Sequence, residues 1–453
     1  MCKISDQVVA AILTRGQIYE VGGAVRDSLL HRAVQPEDRD YLVCGIPYQE
    51  LSRMLKDFGK VDLVGRSFGV IKFTQYRDND RYTFDIALPR QEYSTGAGHR
   101  EFEVSFDSNI SIEEDLGRRD FTINAMALSL ENQVLIDPHG GQMDLKKKQI
   151  RMVSLQAFPE DPLRMLRAVQ FAARYEFAIE PETYAALKQH ADLIRTVSPE
   201  RIAVELNKLL VLAEKPSLGL RLMHESGLLR EIFPELVETV GVDQPGGYHK
   251  YDVFEHSILT VDSAPPRLLV RLAALFHDIT KPQTKCLTED GATFYGHEKT
   301  GARVTQEIMK RLRYSADMIR DVTTLVDRHM FTTAVTGKGM RRLIRRVGQS
   351  LIFDLLDLRR ADVMAQGKGG STDDVDEFEE NIRAELERRP PFGVADLALD
   401  GHDIMNIFRI PQSALVGEVL GFLLEKVLDE PEDNTREKLI EYAQSFLANR
   451  ENK

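Results

Sequence analysis

The chain has 453 residues, of which 43% are hydrophobic and 29% charged, with a net charge of −12. That length exceeds a single core and predicts two to four domains, while no run nears the roughly 18 uninterrupted apolar residues of a membrane span; the best, Leu268 to Phe276, is broken by Arg271. Three cysteines, Cys2, Cys44 and Cys286, lie far apart with no CxxC pair, which excludes a disulfide framework or a zinc-thiolate site, and the N-terminus lacks signal-peptide architecture, so a cytoplasmic protein without membrane partners is expected.

In chain order, residues 18 to about 150 read as mixed α/β. Ile18 to Val21 is a short apolar strand, punctuated by Gly22-Gly23 before an amphipathic helix around Val25 to Leu30. Val70 to Tyr76 and Arg81 to Leu88 are β-rich runs joined as a hairpin through residues 77–80. Pro89 to about Asn109 has weak periodicity and two glycines, Gly96 and Gly98, and reads as a mobile loop. From Asp161 onward helical periodicity dominates, with Ser198-Pro199-Glu200 as a start signal of capping serine, first-turn proline and acid. Asp243 to Tyr248 marks a boundary, and the acidic stretch Asp373 to Glu387 with Pro390-Pro391 marks another. The acidic balance argues against a general nucleic-acid binder, although Lys146 to Lys148, Arg118-Arg119, and Arg341, Arg342, Arg345 and Arg346 are candidate local patches. Each of these, taken alone, reads as a solvated face.

Asp38-Arg39-Asp40 leads into the apolar run Tyr41-Leu42-Val43. In an extended chain, residues two apart share a face, so both carboxylates would point one way. Such a pair suits Mg²⁺, which takes one or two acidic ligands and completes its shell with water and phosphate oxygens. Asp85, in Phe84-Asp85-Ile86, is a candidate third acid on a neighbouring strand. Upstream, Gly22-Gly23-Ala24-Val25-Arg26-Asp27 offers glycines for close backbone approach to a triphosphate and Arg26 for a charge-assisted contact.

Further segments follow in order. They are Asp115-Leu116-Gly117-Arg118-Arg119-Asp120-Phe121-Thr122-Ile123-Asn124, Asp137-Pro138-His139-Gly140-Gly141 with Asp144, Glu160-Asp161-Pro162-Leu163-Arg164 with Arg167, and Ser198-Pro199-Glu200-Arg201 with Glu205. Over residues 18 to about 210 this series resembles class II CCA-adding tRNA nucleotidyltransferases and the related bacterial poly(A) polymerases. The resemblance implies an α+β fold: a polymerase-β-like nucleotidyltransferase mixed sheet with helices, then all-α neck, HD and tail domains. It implies metal binding by Asp38 and Asp40, and ribose and triphosphate contacts from Asp115, Arg118, Arg119, Asp120 and Asn124. Base selection falls to Asp161 and Arg164, with Arg167 also at the nucleotide. A carboxylate accepts from the amino group of cytosine or adenine while a guanidinium donates to the ring nitrogen beside it; uracil and guanine invert that order. If helical, Asp161 and Arg164 share a face at spacing i,i+3. Arg90, Glu92, His99, Arg100 and Glu101 lie where the family carries a flexible loop that supports the switch to adding A.

His256, His277-Asp278, His297, His329 and Asp362 form a second series, over residues 249 to 365, that resembles the HD phosphohydrolase superfamily. Imidazole and carboxylate together suit a divalent transition metal better than magnesium alone. Thr280 stands where many relatives have glycine in His-Asp-x-Gly-Lys, which would crowd the site if the backbone had to approach closely there.

The expected domains are 1–150 (catalytic head), 151–215 (neck), 216–370 (HD) and 371–453 (tail). The expected activity is CCA addition to tRNA from CTP and ATP. Its rivals are A-only addition, poly(A) synthesis, and an HD phosphohydrolase whose N-terminal half only binds RNA.

Overall fold

The computed structural model describes residues 3–35, 38–62, 69–77, 80–94, 102–245, 250–289 and 291–451. Period-two patterning builds β1 (Gln17–Val21), β2 (Asp40–Cys44), β3 (Lys60–Asp62), β4 (Val70–Arg77) and β5 (Asp80–Ala87). A two-stranded hairpin, β6 (Arg90–Ser94) and β7 (Phe102–Phe106), and then β8 (Ala127–Ser129) and β9 (Leu135–Ile136) follow. Seven of them form one mixed sheet in the order β3-β4-β5-β2-β1-β8-β9. β2 and β5 run parallel, and the other neighbours run antiparallel.

Side-chain alternation sends the sheet's apolar residues to both faces. Ile18, Tyr41, Val43, Phe73, Phe84 and Ile86 pack under the helices Asp6–Leu13 and Tyr48–Leu55. Tyr19, Val21, Leu42 and Cys44 pack on the other face with Ile112, Leu116, Ala125 and Ala127. Asp40 shares the second face with Leu42 and Cys44, and the parallel register sets it directly opposite Asp85.

The expectation of an unstructured segment after Pro89 is corrected in part. Arg90–Ser94 and Phe102–Phe106 pair in register, Arg90 opposite Phe106, so backbone hydrogen bonding supplies order that side-chain periodicity did not announce. His99, Arg100 and Glu101 lie outside the described residues. Ser198 does stand at the N-cap of the helix Pro199–Leu212, but its hydroxyl makes no capping bond, which leaves the first-turn proline as the start signal.

The chain divides into two compact units, Met1–Pro234 and Glu235–Lys453. The second is almost wholly helical, with a short hairpin, Cys286–Thr288 against Gly291–Thr293, as the departure from an all-helical expectation. Several of its helices start on side-chain caps: Asp252 accepts from Glu255 N, Ser315 from Met318 N and Thr336 from Gly339 N. The acidic stretch Asp373–Glu387 is itself a helix that buries Val375, Phe378 and Ile382. Among the described residues no helix is long and apolar enough to cross a membrane.

Candidate active site and metal centre

In the first unit, β1 ends at Val21 and the chain turns through Gly22 into the helix Gly23–Leu29. Gly22 has φ +71°, a conformation side chains disfavour, and a Cβ there would lie 3.1 Å from Arg119 Nη1. Beside this turn lies a cavity of about 490 Å³ lined by Gly22, Gly23, Arg26, Asp40, Asp115, Arg118, Arg119, Asp120, Asn124, Asp161, Arg164 and Arg167. Arg174 and Lys208, which the motif reading missed, bring its cations to seven against four carboxylates. A cationic hollow in a chain of net charge −12 is a local anion site.

Buried acids aim these arginines. Asp115, fully buried, accepts from both Arg118 (Nε at 3.1 Å) and Arg119 (Nη2 at 3.1 Å). Asp120 accepts from Asn124 Nδ2 (3.0 Å), the Phe121 amide (2.8 Å) and Arg167 Nε (2.8 Å). Arg26 donates to Asn124 Oδ1 at 2.6 Å and to both Asp27 oxygens, and it lies over the Tyr175 ring, so it braces the wall it lines. Gly141, from the Asp-Pro-His-Gly-Gly segment, has a scaffolding reason to be glycine: a Cβ would stand 2.2 Å from Thr122 O, in the turn that carries Asn124.

Burial opposes ionisation of Asp120, but Arg167, Asn124 and the Phe121 amide outweigh it and hold its carboxyl below the usual range. A carboxylate with a depressed folded pKa contributes stability that is complete above its unfolded value, about 3.9. That contribution is lost as pH falls through the folded value. Asp120→Asn is therefore expected to flatten the acid limb of stability below about pH 5. Urea midpoints followed by circular dichroism from pH 7 downward read this directly, and limbs of equal slope in both proteins would refute it.

The three transferase acids are only partly brought together. β2 starts at Asp40, and Asp38 sits in the preceding turn, its amide donating to Gln35 O at 3.1 Å, so the pair does not share an extended strand as expected. Arg39 between them is buried on the opposite side, paired with the buried Glu20 of β1. Asp40 still feels both partners. Although its side chain is exposed at the start of the strand, the protein packed around it limits hydration and pushes its carboxyl up to about 6, helped by Asp85 and then Asp38 and opposed by Arg119. Only Asp40 of the three lines the cavity. Crowded anions of this kind fit a divalent cation, though they are less tightly gathered than the second unit's ligands described below.

The helical pairing expected of Asp161 and Arg164 is also corrected. Asp161 precedes the helix Leu163–Tyr175, with φ −138° and ψ 95°, because the residue before Pro162 is driven out of the helical region. Its carbonyl accepts from the Arg164 amide at 2.9 Å, so the first turn, not a helical face, sets the two at the same cavity. Their side chains look elsewhere: Arg164 Nη2 donates to Arg118 O at 2.8 Å, and Asp161 pairs with Arg201 at 2.9 Å. Arg201 lies in the Ser198-Pro199-Glu200-Arg201 segment, and nothing local ties it to an acid 40 residues earlier.

In the second unit, helix ends collect the HD series. His256 lies on the buried face of Val253–Ser263, His277 and Asp278 follow Leu268–Phe276, His297 opens His297–Arg311, His329 ends Ala316–Arg328 and Asp362 sits in Ile352–Ala365. All six are buried. Nδ1 of His277, His297 and His329 lies 2.8, 2.7 and 2.7 Å from the carbonyl oxygens of Ala274, Phe294 and Val326. A carbonyl only accepts, so each Nδ1 carries its hydrogen and Nε2 is the nitrogen turned inward; burial opposes a second proton on His277, but Asp278 and then Asp362 raise its pKa. Nε2 of His297 and of His329 are 3.1 Å apart, and those of His256 and His277 are 3.3 Å apart. Burial, then His277, pushes His329 down to about 3, so it stays neutral. Two lone pairs facing each other across 3.1 Å, as between His297 and His329, would repel, and a shared cation would relieve them.

Asp278 sits between the two pairs. Its Oδ2 is 3.1 Å from His277 Nε2, and its Oδ1 is 3.3 Å from His297 Nε2. Two ligand groups result, His256/His277/Asp278 and Asp278/His297/His329, with Asp362 Oδ1 3.1 Å from His256 Nε2. The donor set fits one or two divalent transition ions. Thr280 does not crowd it. Its φ of −105° needs no glycine, and its hydroxyl donates to His297 O at 2.9 Å, tying two ligand-bearing segments together. The adjoining cavity, about 520 Å³, adds two cations absent from the expected set: Lys281, 2.6 Å from Asp278, and Arg359, 3.1 Å from Asp362.

Comparisons with known proteins agree in order along the chain. Residues 18–151 match the Poly A polymerase head domain, 176–239 the "Probable RNA and SrmB- binding site of polymerase A", and 248–365 the HD domain. An A-adding tRNA nucleotidyltransferase of Deinococcus radiodurans is 36% identical over 332 residues, 70% of this chain and 75% of that protein. A Multifunctional CCA protein of Ralstonia nicotianae is 38% identical over 323 residues, 69% and 71% of the two. The fold is that of the Bacillus stearothermophilus CCA-adding enzyme solved with CTP, with a TM-score of 0.72 at 22% identity over 98% of this chain and 97% of that one. The chain thus belongs to the CCA-adding tRNA nucleotidyltransferase and poly(A) polymerase family, in its HD-domain-bearing form.

Proposed function

We propose that the protein extends the 3′ end of tRNA by CMP, CMP and AMP, taken from CTP and ATP without a nucleic-acid template. The observation that carries this reading is the cationic cavity in which Gly22, Arg118, Arg119 and Asn124 meet Asp40, with Asp161 and Arg164 on its wall. The terminal 3′-hydroxyl oxygen bonds to the α-phosphorus, the bond to pyrophosphate breaks, and the hydroxyl proton passes to solvent or to a carboxylate. Arg26, Arg118, Arg119 and Arg167 orient the triphosphate, and Asp115, Asp120 and Asn124 hold those arginines and the ribose in place. Asp38 and Asp40 would hold Mg²⁺ with Asp85 beside them; bound there, the metal supplies activation of the hydroxyl and neutralisation of the departing charge, the chemistry of a two-metal site. Asp161 and Arg164 read the amino edge common to cytosine and adenine, once Asp161 yields a lone pair from Arg201.

The second unit adds metal-dependent phosphoester hydrolysis, with His256, His277, Asp278, His297, His329 and Asp362 as ligands and Lys281 and Arg359 steadying the phosphate. The working division is head 1–150, neck 151–215, HD 216–370 and tail 371–453.

Purified protein incubated with tRNAs lacking CCA, CA or A, plus each labelled NTP, is expected to restore all three ends. The A-adding name of one 36%-identical relative supports a narrower second reading, under which only the tRNA lacking A is extended. Runs of A on arbitrary RNA would overturn both in favour of poly(A) synthesis.

A further inference from the structure

The helices His297–Arg311 and Ala316–Arg328 are joined by a four-residue turn and pack antiparallel. Lys299, Arg303 and Gln306 recur along the first at helical spacing, Thr324 and Arg328 lie on the second, and Arg346 reaches in from Gly337–Val347. They line a groove of about 350 Å³ that shares no lining residue with the metal cavity. We propose that this groove binds the phosphodiester backbone of RNA.

Charge pairing sets it apart from several other cationic stretches of the unit. Arg342 and Arg345 are neutralised by Glu425 and Asp429, Arg320 by Asp317 and Asp321, and Arg311 by Glu235. In the groove Arg328 pairs with Asp327, but Lys299, Arg303 and Arg346 have no acidic partner among the described residues. Three converging unpaired cations repel one another, a cost that a polyanion removes. The remaining lining offers the Gln306 amide, which suits phosphate oxygens, beside two threonines whose hydroxyls donate to helix carbonyls, and no large exposed apolar side chain of the kind a lipid surface takes up. The groove begins two residues from His297 and one from His329, so a strand lying in it reaches the end of the hairpin that carries metal ligands.

The test compares the full-length protein with the triple variant Lys299→Ala, Arg303→Ala, Arg346→Ala. Binding of tRNA lacking its CCA end is followed by anisotropy over a salt series. Each lost phosphate contact removes about 0.7–0.9 from the slope of log affinity against log salt, so the triple variant is expected to lose about 2 from the slope and roughly tenfold in affinity. A control triple that removes equal charge elsewhere in the unit, Arg320→Ala, Arg383→Ala, Lys438→Ala, is expected to keep the wild-type slope. An unchanged slope in the groove variant, or an equal loss in the control, overturns the proposal; so does poly-glutamate competing as well as RNA. If the triple variant loses bound metal, Arg346→Ala alone, on a separate helix, reads the same slope with an expected loss of about 0.7. The proposal rests on the transfer reading only for RNA as the partner: nucleotide addition can fail while this slope persists, so the two are refuted separately.

Discussion

Asp40→Asn is expected to lower nucleotide addition by about 10³-fold or more, about 4 kcal/mol of transition-state stabilisation, with the fold and RNA affinity unchanged. Asp40 is the one transferase acid that both lines the cavity and lies in register with a second acid, Asp85. Asparagine keeps its shape and removes only its charge. Because Asp85 and Asp38 already disfavour ionisation at this position, the substitution relieves repulsion instead of stranding a partner, so the loss is chemical and not structural. Single-turnover addition of CMP at saturating tRNA and CTP measures it, with thermal unfolding as the control. Activity within tenfold of the wild type would remove Asp40 from the metal site and with it the transfer mechanism proposed here. Asp85→Asn probes the same cluster from the neighbouring strand and is expected to act in the same direction.

Removal of one carboxylate in the second unit has a comparable reach. Asp278→Ala is expected to abolish bound metal and reduce phosphoester hydrolysis by about 10³-fold or more, while CMP addition stays at the wild-type rate. The reason is topological: each Asp278 oxygen serves a different histidine pair, so one side chain belongs to both ligand groups. His297→Ala, by contrast, strikes one group only and is expected to leave metal in the other. Metal per chain by mass spectrometry, and turnover of a small phosphodiester such as bis-p-nitrophenyl phosphate, separate the two variants. Lys281 keeps its bond to Gln244 Oε1 at 2.6 Å when Asp278 is gone, which limits the structural cost. Metal retained at wild-type stoichiometry in Asp278→Ala would refute a shared ligand.

What could be read from the chain followed from how local the signal was. Strands such as Tyr41-Leu42-Val43 were legible because alternating side chains fill two cores, one on each face of the sheet. The HD ligands were legible because six side chains with one chemistry recur in order at the ends or on the buried faces of helices. Contacts between distant segments were not. The pairs Arg39–Glu20, Arg167–Asp120 and Arg201–Asp161 join residues 19, 47 and 40 apart, and no spacing rule links an arginine to an acid that far away. Two local rules also misled. An extended Asp38 fits the alternation of the following strand, yet a turn intervenes there, and a helical Asp161 fits the i,i+3 spacing, yet the following proline disfavours it. Thr280 stands in glycine's place, and its hydroxyl supplies a tie that glycine could not make.

Asp85 owes its position to the β4–β5 hairpin, in which Arg77 faces Asp80 and every later pair follows from that one. One residue added to that bend would turn the strand over, swinging the acid in among Ile71 and Phe73 and the greasy Phe84 and Ile86 out toward the arginines. The slip that disarms the chemistry would thus also take Phe84 and Ile86 out of the core they fill, tying the acid's placement to the stability of the sheet.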